Sequence, residues 1–223
     1  MTANSLDNQS SSFFAAVAGN IGVGKTTLTR RISQEFGFEP YYEKVIKNPY
    51  LQDFYSDMQR WSFHLQVYFL SQRFNDHRRM ILSPRPCVQD RTIYEDAEIF
   101  AAILHKNGNM TDRDYSNYLE LFSSMTDFLR KPDLIIYLKA SVWTLTTRIR
   151  KRGRDYERNI STEYLYELND AYNKWIARIE NDFNVLVINA DSYDFEENRD
   201  SMDSILKTIK NEIGTKTCQV LGL

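Results

Sequence analysis

Cysteine is scarce in this chain. Only Cys87 and Cys218 occur among 223 residues, far apart, which excludes a disulfide framework, argues against redox chemistry and suits a reducing cytosol. No apolar run approaches the ~20 residues of a membrane-spanning helix. The opening residues, Met1 to Ser12, lack the basic start and apolar stretch of a signal peptide and read as a disordered tail. An excess of either charge is missing too: the formal net charge is −2 with 26% charged residues, so no global basic field exists to attract nucleic acid or an anionic membrane. Linkers and repeats are absent. The expectation is a soluble, cytoplasmic single α/β domain over residues 13–213, long enough to bury a substantial core. Beyond it lies a C-terminal tail, 214–223, which ends in Val220-Leu221-Gly222-Leu223 and is read either as an apolar docking segment or as a frayed end.

What the chain does have is a recurring short apolar run between helical stretches: Phe13 to Ala18, Phe38 to Tyr42, Pro86 to Asp90, Leu134 to Leu138 and Val185 to Asn189. This alternation predicts a five-stranded parallel sheet with helices on both faces. Ligands gather at the carboxyl ends of such strands, and the first three runs each end in a polar cluster there.

The first cluster is Gly19-Asn20-Ile21-Gly22-Val23-Gly24-Lys25-Thr26-Thr27, which fits G-x-x-x-x-G-K-[ST], a phosphate-binding loop between a strand and a helix. Glycines let backbone N–H groups turn inward around a β-phosphate, Lys25 adds a charge shared by the β- and γ-phosphates, and Thr26 offers a hydroxyl to Mg²⁺. The helix predicted from Thr27 to Phe36 stops at Gly37. A nucleoside triphosphate is the implied ligand, with Mg²⁺.

Asp57 to Leu82 contains neither proline nor glycine and predicts a helix of about seven turns. It carries two apolar stripes, one for the sheet and one for a partner helix or second subunit. Gln66 and Arg73, seven apart, share a face between them. Thr92 to Glu95 has the capping-box pattern, which accounts for Glu95 structurally and places Asp96 in the first helical turn, where the dipole favours an anion.

Arg148 to Arg158 is the densest cationic run. Arg148 and Arg152 fall on one helical face and Gly153 permits a turn beyond. A mobile arginine lid over a transferring phosphate has this composition; so does a helix end facing solvent. Nucleic-acid binding is disfavoured by the net charge.

The acceptor decides the activity. No Asn-Lys-x-Asp run is present, which argues against a small GTPase. Glu43, at the end of the second strand, can take the proton of a sugar hydroxyl and align its oxygen with the γ-phosphorus, whereas a phosphorylated acceptor would be repelled by it.

The loop at Gly19 to Thr27, Tyr41-Tyr42-Glu43, Arg60 to Gln66, Asp90-Arg91-Thr92-Ile93-Tyr94-Glu95-Asp96 and Arg148 to Glu157 resemble, in order, the motifs of the deoxyribonucleoside kinase family, over about Phe14 to Lys210. Asn48-Pro49-Tyr50 is most similar to its bacterial-type deoxyadenosine and deoxyadenosine/deoxycytidine kinases. The resemblance implies Glu43 as base, Asp90 and Thr26 as holders of Mg²⁺, and Arg91 as a bridge between Glu43 and phosphate. It implies Tyr55 and Glu157 at the sugar 3′-hydroxyl, and Gln66, Arg73, Asp96 and Phe100 around the base. Arg148, Arg152 and Arg154 would form the lid, Asp191 and Phe195 belong to the donor-base loop, and the assembly would be a homodimer through long helices, with a tetramer also open. The expected reaction moves the γ-phosphate of ATP to the 5′-hydroxyl of a deoxynucleoside, deoxyadenosine favoured. The competing readings are a thymidylate-kinase-like monophosphate kinase and a non-catalytic interaction subunit.

An acceptor-only Asp96 paired to Arg73 suits the exocyclic amine of adenine or cytosine and opposes the carbonyl of thymine.

Overall fold

The computed structural model describes residues 12–44, 48–157, 160–193 and 199–221. Five strands, β1 (Phe14–Gly19), β2 (Glu39–Tyr41), β3 (Cys87–Asp90), β4 (Leu134–Lys139) and β5 (Val185–Asn189), form one sheet in the order β2-β3-β1-β4-β5. All four pairings are parallel, with Val17 opposite Asp90 and Gly19 opposite Leu138. The apolar runs are strands because nearly every side chain of the central ones is buried on both faces, as in a sheet covered by helices. β1 is central, and the chain fills one side of it before crossing to the other, so the crevice opens above the ends of β1 and β3.

Helix α1 (Lys25–Phe36) starts in the phosphate-loop motif and ends at Gly37, whose φ of 71° is the left-handed cap that glycine adopts without strain. Short α2 (Leu51–Ser56) precedes α3 (Met58–Leu82), which begins where the Asp57 side chain accepts from the Arg60 N–H. The Thr92 capping box is present and opens α4 (Ile93–Glu95). Its continuation differs from expectation: Asp96–Ala101 is π-helical before α5 (Ala102–Lys106) resumes. Then come α6 (Asp112–Thr126), α7 (Val142–Arg152), α8 (Thr162–Ile179) and α9 (Arg199–Leu221). The backbone of α9 runs straight through the expected boundary at residue 214. The expected N-terminal tail lies, apart from Ser12, outside the described residues.

One face of the sheet packs on α1 and α9, through Leu28, Ile32, Ile205 and Ile209. The other packs on the π-helical stretch and α8, through Ile99, Leu168, Tyr172 and Trp175. A third cluster joins α2, α3 and α6 to the π-helical region around Leu65, Leu70, Ala97 and Tyr118. It therefore absorbs most of α3's second stripe, with Phe63, Val67 and Phe74 half-buried there. Among the described residues no helix is long and apolar enough to cross a membrane.

Candidate active site

A cavity of about 960 Å³ opens at the carboxyl rim of the sheet. The phosphate loop lines it with Ile21, Gly22, Gly24, Lys25, Thr26 and Thr27. Gly22 and Gly24 have φ of 81° and 109°, and a Cβ on Gly22 would lie 2.7 Å from Ile149 Cγ1; glycine is thus needed for the turn and for close packing of the loop on α7. Asn20 and Val23 are buried behind it. The Asn20 amide donates to Asn169 Oδ1 and the Leu165 carbonyl, at 2.7 and 3.1 Å, stapling the loop to α8. Gly19 closes the strand with its N–H donated to Glu95 Oε1 at 3.1 Å. Lys25 donates to the Asn20 carbonyl at 3.0 Å, and burial, followed by the repulsion of Arg91, lowers its pKa to about 8.

Thr26 Oγ1 donates to Asp90 Oδ2 at 2.6 Å, and Asp90 Oδ1 is buried without a hydrogen-bond partner. Burial is the main cause of the raised Asp90 pKa, with Lys25 opposing it. A hydroxyl and a spare carboxylate oxygen beside a phosphate cradle suit Mg²⁺, which keeps several waters and takes one or two protein carboxylates. Among the described residues no cluster of three His, Cys, Asp or Glu offers an all-protein metal site.

Glu43 stands just past β2 and lines the same cavity. It meets two buried guanidiniums, Arg73 Nη2 at 2.5 Å and Arg91 Nε at 3.0 Å. Burial disfavours its charge, yet Arg91, Arg73 and Lys25 together hold its pKa down at about 2. Arg91 has a φ of 71°, the one non-glycine residue with positive φ among those described, and a strained backbone of this kind clusters at functional sites. Its guanidinium lies 4.3 Å from the Phe100 ring centroid.

The structure places Arg73 one layer behind the cavity wall rather than in it. Its fork is heavily committed: Nε to Asp96, Nη2 to Glu43, and Nη1 to the carbonyls of Asp90 and Arg91 at 3.2 and 3.3 Å. Asp96, Gln66 and Phe100 do line the cavity. Burial raises the Asp96 pKa to about 6 against the pull of Arg73 and Arg91, and the Gln66 Oε1 is buried and unpartnered. Tyr55 lines the cavity and stacks on Tyr156 at 6.2 Å between centroids.

The cationic run splits into two parts. Arg148 donates to three carbonyls, Val23 at 2.8 Å, Ala190 at 2.8 Å and Tyr193 at 2.6 Å, and so ties the phosphate loop to the loop after β5. Arg152 and Arg154 instead converge on Glu157, at 2.7 and 3.3 Å. Asp191 accepts from Ser141 N and Oγ at the start of α7, and Phe195 lies outside the described residues. Sequence reasoning missed Trp143, which lines the cavity, and Tyr172, which hydrogen-bonds to Arg91; neither belongs to a motif, whereas Tyr193 of the donor-base segment lines the cavity as well.

A phosphate cradle under a parallel sheet, facing a strand-end carboxylate and an arginine-bearing helix, defines a P-loop kinase. The sequence matches the deoxynucleoside kinase family over residues 15–214, and the chain belongs to that family, whose members phosphorylate deoxynucleosides at the expense of a triphosphate. It is similar to the deoxyadenosine/deoxycytidine kinase of Bacillus subtilis, 40% identical over 88% of this chain and 91% of that one. It also resembles the deoxyadenosine kinase of Dictyostelium discoideum, at 44% over 78% and 71%. The structure of deoxyadenosine kinase from M. mycoides with bound dATP superposes with a TM-score of 0.78 at 29% identity, over 89% of this chain and 99% of that one.

Proposed function

We propose that the chain transfers the γ-phosphate of ATP to the 5′-hydroxyl of deoxyadenosine, with Glu43 as the general base. The carrying observation is that Glu43, Arg91 and the phosphate loop face one cavity, with Arg73 paired to Glu43 from behind its wall. A sugar hydroxyl lying between the carboxylate and the cradle meets a base held ionised at neutral pH. In a loose transition state that carboxylate mainly orients the nucleophile, and it takes the proton late. Lys25 and Arg91 stabilise charge on the transferring group, while Arg152 and Arg154 swing from Glu157 to phosphate on lid closure, freeing Glu157 for the sugar 3′-hydroxyl beside Tyr55. Thr26 and Asp90 would hold Mg²⁺, which supplies charge neutralisation on the phosphates.

Deoxyadenosine is supported by the deoxyadenosine kinases among the relatives and by Asp96, which above about pH 6 presents acceptors only to an exocyclic amine. Phe100 offers a ring for stacking. The carboxylate at Glu43 speaks against a monophosphate acceptor. Exposed Leu82, Leu121 and Phe128 on and beside α3 and α6 support a homodimer through these helices, and the two widely separated cysteines suit a cytoplasmic location.

The test is a steady-state panel of four deoxynucleosides and deoxyadenosine monophosphate with ATP and Mg²⁺, alongside Glu43→Gln. Deoxyadenosine should give the highest kcat/KM and thymidine the lowest. E43Q should lose about 10²–10⁴-fold in kcat while still binding nucleoside. Near-normal E43Q turnover removes Glu43 as base; phosphorylation of the monophosphate alone overturns the acceptor.

A further inference from the structure

Tyr172, on α8, belongs to no motif, yet its hydroxyl stands at the middle of the buried charge network. The residue is fully buried. Its ring is fixed by Tyr137, Phe100 and Trp175, at centroid distances of 5.8, 6.4 and 6.3 Å. Its hydroxyl accepts from Arg91 Nη1 at 2.9 Å and donates to Glu95 Oε1 at 2.8 Å. That same Glu95 oxygen accepts the Gly19 N–H at the mouth of the phosphate loop, and Glu95 Oε2 accepts from the Thr92 N–H and hydroxyl at 2.7 and 3.0 Å. A relay therefore runs from Glu43, through an ion pair, to Arg91 and then through hydrogen bonds by way of Tyr172 and Glu95 to Gly19.

The hydroxyl fills a specific gap. Arg91 Nη1 and Glu95 Oε1 are 4.0 Å apart, too far for a hydrogen bond, and a hydroxyl can accept on one side while donating on the other. Burial and then the neighbouring Glu95 carboxylate keep the Tyr172 hydroxyl protonated, against the opposing charge of Arg91. Without it, the head of Arg91 keeps Glu43, the Phe100 face and the 4.0 Å ion pair with Glu95 but has no hydrogen-bonded link to the phosphate-loop side among the described residues, on a backbone already in a strained conformation.

We propose that Tyr172 is a positioning residue for phosphoryl transfer, its hydroxyl registering the Arg91 guanidinium against the phosphate loop through Glu95. The inference rests on the reading that Arg91 acts on the transferring phosphate. Displacements near 1 Å are costly in such a reaction, by up to about a hundredfold.

Tyr172→Phe keeps the ring packing and deletes only the bridge. The expected result is a fall of about tenfold or more in kcat, with the deoxynucleoside KM within about twofold and no loss of folded protein at the assay temperature. A structural role alone would lower the melting temperature and leave the kcat of the folded fraction intact, which would overturn the proposal. A double-mutant cycle with Arg91→Lys supplies the second measurement. If Tyr172 acts through the guanidinium, Y172F should cost nothing further in the R91K background; the same fold-loss in both backgrounds places its action elsewhere and sinks the relay. R91K with undiminished turnover would instead bring down the role of Arg91 itself, a distinct outcome.

Discussion

Arg73 and Glu43 form a 2.5 Å ion pair, and the same guanidinium also holds Asp96. The carboxylate just past β2 and the one that opens the π-helical stretch thus share one cation. On the proposed reading this would link base recognition to chemistry, because Arg73 helps hold Glu43 at a pKa of about 2 against the opposing effect of burial.

Arg73→Gln should therefore move the acid limb of kcat to higher pH. On the proposed reading Glu43 works as a base when ionised, and removing a cation raises its pKa, so activity is lost from the low-pH side. A displacement of about one unit or more is expected for an opposite charge at this distance. A carbon-13 NMR titration of the Glu43 carboxyl from about pH 1 to 6 in both proteins, beside kcat profiles carried as low as the fold allows, checks this; an unmoved midpoint disconnects the two residues.

Asp96 titrates in the opposite sense. Burial raises its pKa to about 6 despite Arg73, so below that pH it gains a proton and ceases to be an acceptor-only group. For an amino-bearing deoxynucleoside, kcat/KM should fall as pH drops through about 6, and Asp96→Asn should flatten that limb while eroding the preference over thymidine. The measurement is kcat/KM against pH with two substrates. A limb retained in D96N assigns it to another group.

Arg148 and Arg152 should give different phenotypes although they are four residues apart. Arg148 is committed to carbonyls of the phosphate loop and of the loop after β5. R148A should therefore raise the KM for ATP at least about tenfold while the nucleoside KM stays within twofold, since even one lost charged hydrogen bond costs of order 1.5–3 kcal/mol. Arg152 pairs with buried Glu157, so R152A should lower kcat and raise the nucleoside KM together. Initial-rate kinetics in both substrates separate the cases.

Gly22→Ala tests the cradle. A Cβ there would sit 2.7 Å from Ile149 Cγ1 at a φ of 81°, costing of order 1–3 kcal/mol in backbone strain and pushing the loop from α7. Weaker ATP binding with a lowered melting temperature is expected; calorimetry and thermal melting report each.

The fold was readable in the sequence because its strands are buried on both faces and end in polar clusters. All five runs became strands, and Asp57 and Thr92 cap helices where their side chains can accept N–H groups. Most of the expected site residues gather around one cavity. What stayed hidden depends on long-range contact. Glu95 looked like a cap and no more, since nothing in Thr92 to Glu95 discloses that Gly19 and Tyr172 also bond to it. Arg148 and Arg152 looked equivalent because spacing gives a shared face, not a partner. Arg73 was expected in the wall and stands behind it, because its other bonds are to backbone carbonyls that only the folded turn brings near.

The π-helical stretch Asp96–Ala101 carries its hydrogen bonds one residue further than an α-helix. Deleting a single residue there would restore ordinary winding while leaving the helix beyond it in register, because the wider turn already absorbs one extra residue. A one-codon deletion across 97–101 should consequently be tolerated by the fold while shifting Phe100 alone relative to Asp96, so chain length offers a way to alter this cavity wall besides side-chain identity.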